Sequence, residues 1–170
     1  DDVYFLGPMH SVVAAWAHFN KEIAKGTGLT INKAKTSVLI PPEVETSSLV
    51  SMGLTFTNQY IKALGTILTR NTNVLRRWLV EEMQKSHGQL FTLLKDKRMP
   101  SQVAFTLLRM CGVPRVLYWP RTSPPEATYD LADKFDELIL ETASSVLAIP
   151  SFDTMSCKQL CLPVKKGGFG

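Results

Sequence analysis

Two adjacent carboxylates, Asp1 and Asp2, stand directly before the apolar run Val3-Tyr4-Phe5-Leu6 and the turn pair Gly7-Pro8. An acidic pair on a strand-turn edge can bind a divalent cation. Successive strand side chains point to opposite faces, so one carboxylate ligates directly and the second joins only if the turn rotates it inward. Nucleotidyl transfer by two metal ions ~3.5–4 Å apart needs such a carboxylate together with another from elsewhere in the fold. By itself the pair reads as an exposed acidic end. Two further stretches give it company. "GLTINKAKTSVL", about twenty-five residues later, carries Lys33 and Lys35 on a loop, where a flexible ammonium can neutralise a triphosphate or protonate departing pyrophosphate. "IKALGTIL" is an apolar hairpin interrupted by Gly65, a residue that lets another backbone approach closely.

The elements that must position these residues follow from periodicity. Residues 3–6 are expected to form a buried strand packed on the next helix and paired with the chain near residues 36–40. Val12, Val13, Trp16, Phe19 and Ile23 have helical spacing, with Gly26 or Gly28 as the stop. The loop around Lys33 and Lys35 is flanked by short extended pieces, and residues 43–53 allow one or two helical turns. "LTFTNQYIKALGTILTRN" is rich in β-branched and aromatic residues and predicts a hairpin or two short strands. From Asn71 the pattern is helical. Asn71 or Asn73 caps a long helix through Val74, Leu75, Trp78, Leu79 and Met83, extending towards Leu94. A second helix starts at Ser101 and ends at Gly112, followed by a short helix or turn closed by Pro120. Pro124 and Pro125 open a last long helix reaching about Leu147, with Leu131, Phe135, Leu138, Ile139, Thr142 and Val146 on one side. Pro150 ends it. The fold class is therefore α+β, with sheet content confined to the first seventy residues.

Charge is unevenly distributed. The chain carries a net +4, yet residues 61–121 hold eleven Lys and Arg against three Asp and Glu, a net +8, while the stretches on either side are acidic. A block this basic suggests a phosphate-bearing partner. No run approaches a membrane span, and no secretory leader opens the chain. Cys111, Cys157 and Cys161 form no paired metal-ligand spacing and read as reduced thiols of an intracellular protein, nuclear or cytoplasmic. His10, His18 and His87 share no ligand spacing and are expected at the surface or in caps. Trp78 reads as core, and Tyr118-Trp119 as a packed helix end or a stacking pair.

The ordered set of Asp1-Asp2 with its apolar run, "GLTINKAKT" and "IKALGTIL" resembles the second half of a reverse transcriptase palm, in the order of the polymerase motifs lettered C, D and E. "LFTLLKDKRMPSQVAFTLLRMCGVPRVLYWPRTSPP", "FDELI" and "LPVKKGGFG" are similar to the thumb region of retrotransposon polymerases. The resemblance covers essentially the whole chain. It implies residues 1–70 as distal palm, with short antiparallel strands plus a helix, and residues 71–170 as a helical thumb and post-thumb region. It implies an RNA-directed DNA polymerase adding dNTPs to a primer 3′-hydroxyl between two Mg²⁺ ions in the parent protein. Asp1 becomes the principal metal ligand, Asp2 a supporting one, and Lys35 the motif's lysine with Lys33 as rival. Leu64 and Gly65 mark the primer-grip hairpin, and Arg70, Arg76, Arg77 and Lys85 track the template-primer backbone. The family's third carboxylate and its fingers are expected upstream in the same polypeptide, with further chain after Gly170, and the 170 residues alone are expected to be inactive. The alternative is a non-catalytic, polymerase-derived module for nucleic-acid binding or assembly. A helical scaffold with incidental charge asymmetry is a third reading.

Overall fold

A computed structural model describes residues 3–168. The fold is α+β, predominantly helical, with two small two-stranded sheets. The chain forms two compact units, one within Asp1–Ala63 and Leu68–Arg70, the other within Leu64–Ile67 and Asn71–Gly170.

The first unit is built on α1 (Met9–Thr27), which begins after Pro8 and stops where Gly28 turns left-handed at φ 70°. A single helical turn at Lys33–Lys35, capped by the Asn32 side chain, leads into β1 (Ser37–Leu39). After α2 (Ser47–Ser51) the chain returns as β2 (Thr55–Thr57) and continues into β3 (Ile61–Ala63). β1 pairs with β2 in parallel, Val38 opposite Phe56. This corrects the expectation of antiparallel strands only: the segment between β1 and β2, α2 included, carries the chain back to the starting end, as parallel neighbours require. Ile40, Leu49 and Leu54 form the buried centre, covered by half-buried Met9, Val13 and Trp16 from one face of α1.

Residues 3–6 are not a strand. Phe5 packs edge-on against Phe19 of α1, with ring centroids 5.6 Å apart, while Leu6 is 90% exposed and β1 takes β2 as its partner. Four consecutive apolar residues carry no period, so nothing in them demands sheet pairing over packing along a helix.

β4 (Thr66–Leu68), of which Thr66 and Ile67 belong to the second unit, begins one two-residue turn after β3, and those two residues are buried. Asn71 then caps α3 (Thr72–Leu94), its side chain accepting from the backbone N–H groups of Asn73 and Val74. Leu75, Leu79, Met83, Phe91 and Leu94 are buried along α3 at helical spacing. α4 (Ser101–Leu107) is followed by helical backbone as far as Gly112, the end expected from the sequence, and the short helical turns expected after it are also present. The chain runs through a wide turn at Leu108–Gly112 and a tight one at Val113–Val116 into α5 (Tyr118–Thr122). Pro120 lies inside α5 and does not close it, because at the third helical position its missing N–H would have had no intrahelical acceptor.

α6 (Pro125–Leu147) starts on a proline at its first position and ends where Ala148 turns left-handed at φ 54°. It packs most extensively on α3, with Ala127, Leu131, Phe135, Thr142, Ala143 and Val146 buried. The Phe91 and Phe135 rings meet edge to face at 5.8 Å. The Thr142 hydroxyl, fully buried, donates to the Leu138 carbonyl at 2.7 Å, so the core carries no penalty for it. α7 (Thr154–Leu160) follows, capped by Asp153. No helix among the described residues is long and apolar enough to cross a membrane.

Candidate nucleic-acid interface

Asp1 and Asp2 lie outside the described residues. Among the described residues no three His, Cys, Asp or Glu side chains converge as a metal site would require. The two lysines separate clearly. The Lys33 ammonium donates to the Met52 carbonyl at 3.1 Å and sits 5.9 Å from the centre of the Trp16 ring, a cation-π distance. Lys35, on the same helical turn, is exposed, and its ammonium has no partner among the described residues.

The hairpin is the most constrained feature. Its turn has just two residues, Leu64 at φ 50° and Gly65 at φ 75°. Positive φ at both central positions is the hairpin geometry that matches strand twist, and Asn-Gly or Asp-Gly ordinarily fills it. Gly65 accepts that conformation freely. A Cβ there would stand 3.5–3.8 Å from the Tyr118 ring, an ordinary contact, so glycine serves the backbone angle and not a need for space. Leu64 is different: a γ-branched residue held left-handed costs roughly 1–2 kcal/mol, and its side chain is 72% exposed and recovers little of that by burial.

Both carbonyls of the turn are held by adjacent aromatic residues of α5. The Tyr118 hydroxyl donates to the Leu64 carbonyl, and the Trp119 indole N–H donates to the Gly65 carbonyl at 3.2 Å. Trp119 is buried and in turn contacts two α3 residues: Trp78 edge-on at 6.5 Å, and His87 tilted at 5.5 Å. The adjacent aromatics were legible as a packed helix end. Their engagement with a turn 54 positions earlier was not, since no local spacing encodes it.

His87 is half-buried, not a surface or capping residue. Arg115 Nη1 lies 3.3 Å from His87 Nδ1. A guanidinium only donates, so Nδ1 accepts and the neutral ring carries its proton on Nε2. Burial holds the His87 pKa below its ordinary value, and the Arg115 charge pushes the same way; the Ser86 backbone bond and Glu82 oppose them. Arg115 Nε also donates to the Cys111 carbonyl at 3.2 Å, which fixes the guanidinium in place.

The four basic residues singled out by position do not behave alike. Arg76 Nη2 donates to the Glu126 carbonyl at 2.8 Å, and its Nε stands 3.6 Å from Asp130, an ion-pair separation too long for a hydrogen bond. Arg77 faces Glu81 one turn along at 4.0 Å, with both side chains well exposed. The groove between α3 and α6 that Arg76 and Arg77 line also holds Glu81, Asp130 and Lys134, so two carboxylates offset most of the charge of its three cations. Arg70 and Lys85 are exposed and have no side-chain partner among the described residues. Comparison with protein-family models, with curated proteins and with solved structures returned no match.

Proposed function

We propose that this chain is the distal palm and thumb region of a retrotransposon-type reverse transcriptase, and that its own contribution is to hold template-primer. The observation that carries the reading is the hairpin turn: an exposed Leu64 kept at positive φ, with both turn carbonyls occupied, at the position where the resemblance puts the primer grip. Strain of this kind persists where surrounding contacts over-determine it, and it clusters at sites that engage a ligand.

In the parent polymerase, Mg²⁺ held by Asp1 and Asp2 with a further carboxylate would supply the nucleotidyl-transfer chemistry. The described residues do not themselves form such a site, so no catalytic step is assigned to them. What they supply is grip. Leu64 offers an apolar tip against a sugar or base face, and Arg70 and Lys85 offer uncompensated charge to phosphates without reading bases. Lys35 is the lysine available to an incoming triphosphate, because Lys33 is engaged internally.

The test is equilibrium binding of the purified chain to a labelled primer-template duplex across a salt series. The expected result is micromolar or weaker affinity, little sequence preference, and a steep slope of log K against log[salt]. That slope should fall by roughly 0.9 for each phosphate no longer neutralised in Arg70→Ala or Lys85→Ala. An unchanged slope in both variants overturns the assignment of the cations, and no duplex binding at low salt overturns the function.

A further inference from the structure

We infer that Tyr118 and Trp119 are positioning residues: they set the conformation of the Leu64 and Gly65 turn and thereby the way Leu64 meets a nucleic-acid strand. The inference rests on the reading of the hairpin as the strand-contacting element, and it assigns to the helical unit the task of shaping that element.

A two-residue turn has two exposed peptide groups whose orientation decides where its side chains point. Water satisfies such carbonyls at little cost, so closing a hairpin does not by itself call for side-chain donors. Here each carbonyl has its own donor, from neighbouring residues of one short helix, and the two peptide planes are fixed together. The Tyr118 ring also lies against Gly65, within ordinary contact of where a Cβ would be. A turn serving only to reverse the chain would take Asn or Asp at its first central position, where both tolerate positive φ. Leu64 gives up that ease and keeps its side chain in solvent. The donors are rigid in their turn. Trp119 is buried against Trp78 and His87 of α3, and His87 is held by Arg115, so the orientation of the turn is tied to the most extensive packing of the helical unit.

A merely structural role for Tyr118 would stabilise the unit without any relation to Leu64. A positioning role makes the two residues non-additive in binding. The experiment is therefore a double-mutant cycle on the full chain with Tyr118→Phe and Leu64→Gly, read by affinity for a primer-template duplex and by amide hydrogen exchange over Leu64–Ile67. Tyr118→Phe keeps the ring and removes one hydrogen bond at a side chain 45% exposed, so the fold is retained. It is expected to speed exchange in the turn by roughly fivefold, the equivalent of one neutral hydrogen bond, and to weaken duplex binding by a similar factor. In the Leu64→Gly background it is expected to weaken binding no further. Trp119→Phe should repeat both effects more strongly, and if it unfolds the unit the Tyr118 cycle decides alone. Unchanged exchange in Tyr118→Phe, or binding losses that add across the cycle, overturns the inference. A wild-type chain that binds no duplex sinks the proposed function instead, and the exchange data then still decide whether Tyr118 fixes the turn.

Discussion

Arg76 and Asp130 stand 3.6 Å apart across α3 and α6, and the same guanidinium donates to the carbonyl of Glu126 at the start of α6. Position in the sequence puts Arg76 in the basic block, which gave the expectation that it contacts phosphate. Its geometry makes it a bolt between the two longest helices of its unit. Both partners of the ion pair are partly solvated, so the pair itself contributes little, and the hydrogen bond to the carbonyl is the stronger contribution. Arg76→Ala is expected to destabilise the chain by about 1 kcal/mol, read in denaturant unfolding, and to leave the salt slope of duplex binding unchanged. A slope reduced as much as in Lys85→Ala would return Arg76 to the nucleic-acid face.

If the hairpin grips a nucleic-acid strand as proposed, Leu64 sets stability against binding. Asn or Asp tolerates a left-handed first turn position, whereas Leu held there costs roughly 1–2 kcal/mol. Leu64→Asn is expected to raise the melting temperature and to weaken duplex binding several-fold, because it relieves the backbone while removing the apolar tip. Both changes come from one exposed side chain, so they can be measured on the same preparation. A variant that is more stable and binds equally well would show that the leucine has no part in binding.

His87 predicts a pH dependence of stability. Its folded pKa is depressed below the ordinary 6.5, chiefly by burial and secondly by Arg115. The groups facing it are Arg115 and the Trp119 ring from the neighbouring turn and α5, and Glu82 and Ser86 from its own helix. With the folded value depressed, the unfolded chain binds the proton more readily. The contribution of His87 to stability is therefore fully present above the unfolded pKa and is lost as pH falls through the folded one. Protonation also removes the Nδ1 acceptor from Arg115 and sets two cations together. The melting temperature of the wild type should fall more steeply below about pH 6.5 than that of His87→Gln, and the two curves should run parallel at higher pH. Parallel curves throughout would mean that the imidazole titrates alike in both states.

The two long helices of the second unit, α3 and α6, were legible because each signal in them was local, whereas α7 was not foreseen. Asn71 caps as its side chain dictates, Pro125 opens a helix in the first turn, where its missing N–H costs nothing, and Leu131, Phe135, Thr142 and Val146 share a face by spacing alone. What stayed hidden depends on partners far away in sequence. Residues 3–6 have the composition of a strand but no period, and of the four Phe5 packs on Phe19 of α1. The parallel pairing of β1 with β2 follows from how the intervening chain returns. Within the candidate interface, Leu64 and Gly65 could be singled out by the glycine inside an apolar hairpin. The sorting of Lys33 from Lys35, and of Arg76 from Lys85, needed to know which cations already had partners. Composition counts charges, and only geometry shows which are spent.

Gly88 and Gly112 give opposite predictions for one chemical change. Both lie in helical backbone at negative φ, so neither needs glycine for its angle. Glycine inside a helix costs roughly 0.5–1 kcal/mol relative to alanine. At Gly88, within the C-terminal half of α3, an added Cβ meets nothing within 4 Å. Gly88→Ala should therefore stabilise the chain by about that amount. At Gly112 the same methyl would stand 3.0 Å from Leu108 Cδ1 and 3.4 Å from the Phe91 ring. Leu108 and Phe91 are among the most deeply buried side chains, and Phe91 is fixed by its edge-to-face contact with Phe135, so neither can swing into solvent. Overpacking of a filled core costs typically about 1–3 kcal/mol, which outweighs the gain in helix propensity. Gly112→Ala should lower stability by about 1 kcal/mol after that offset. Equilibrium denaturation of the two single variants checks both signs at once. Equal shifts would mean that the turn at Leu108–Gly112 can open enough to admit a methyl group, and that the Phe91 face of the core is less tightly packed than its burial implies.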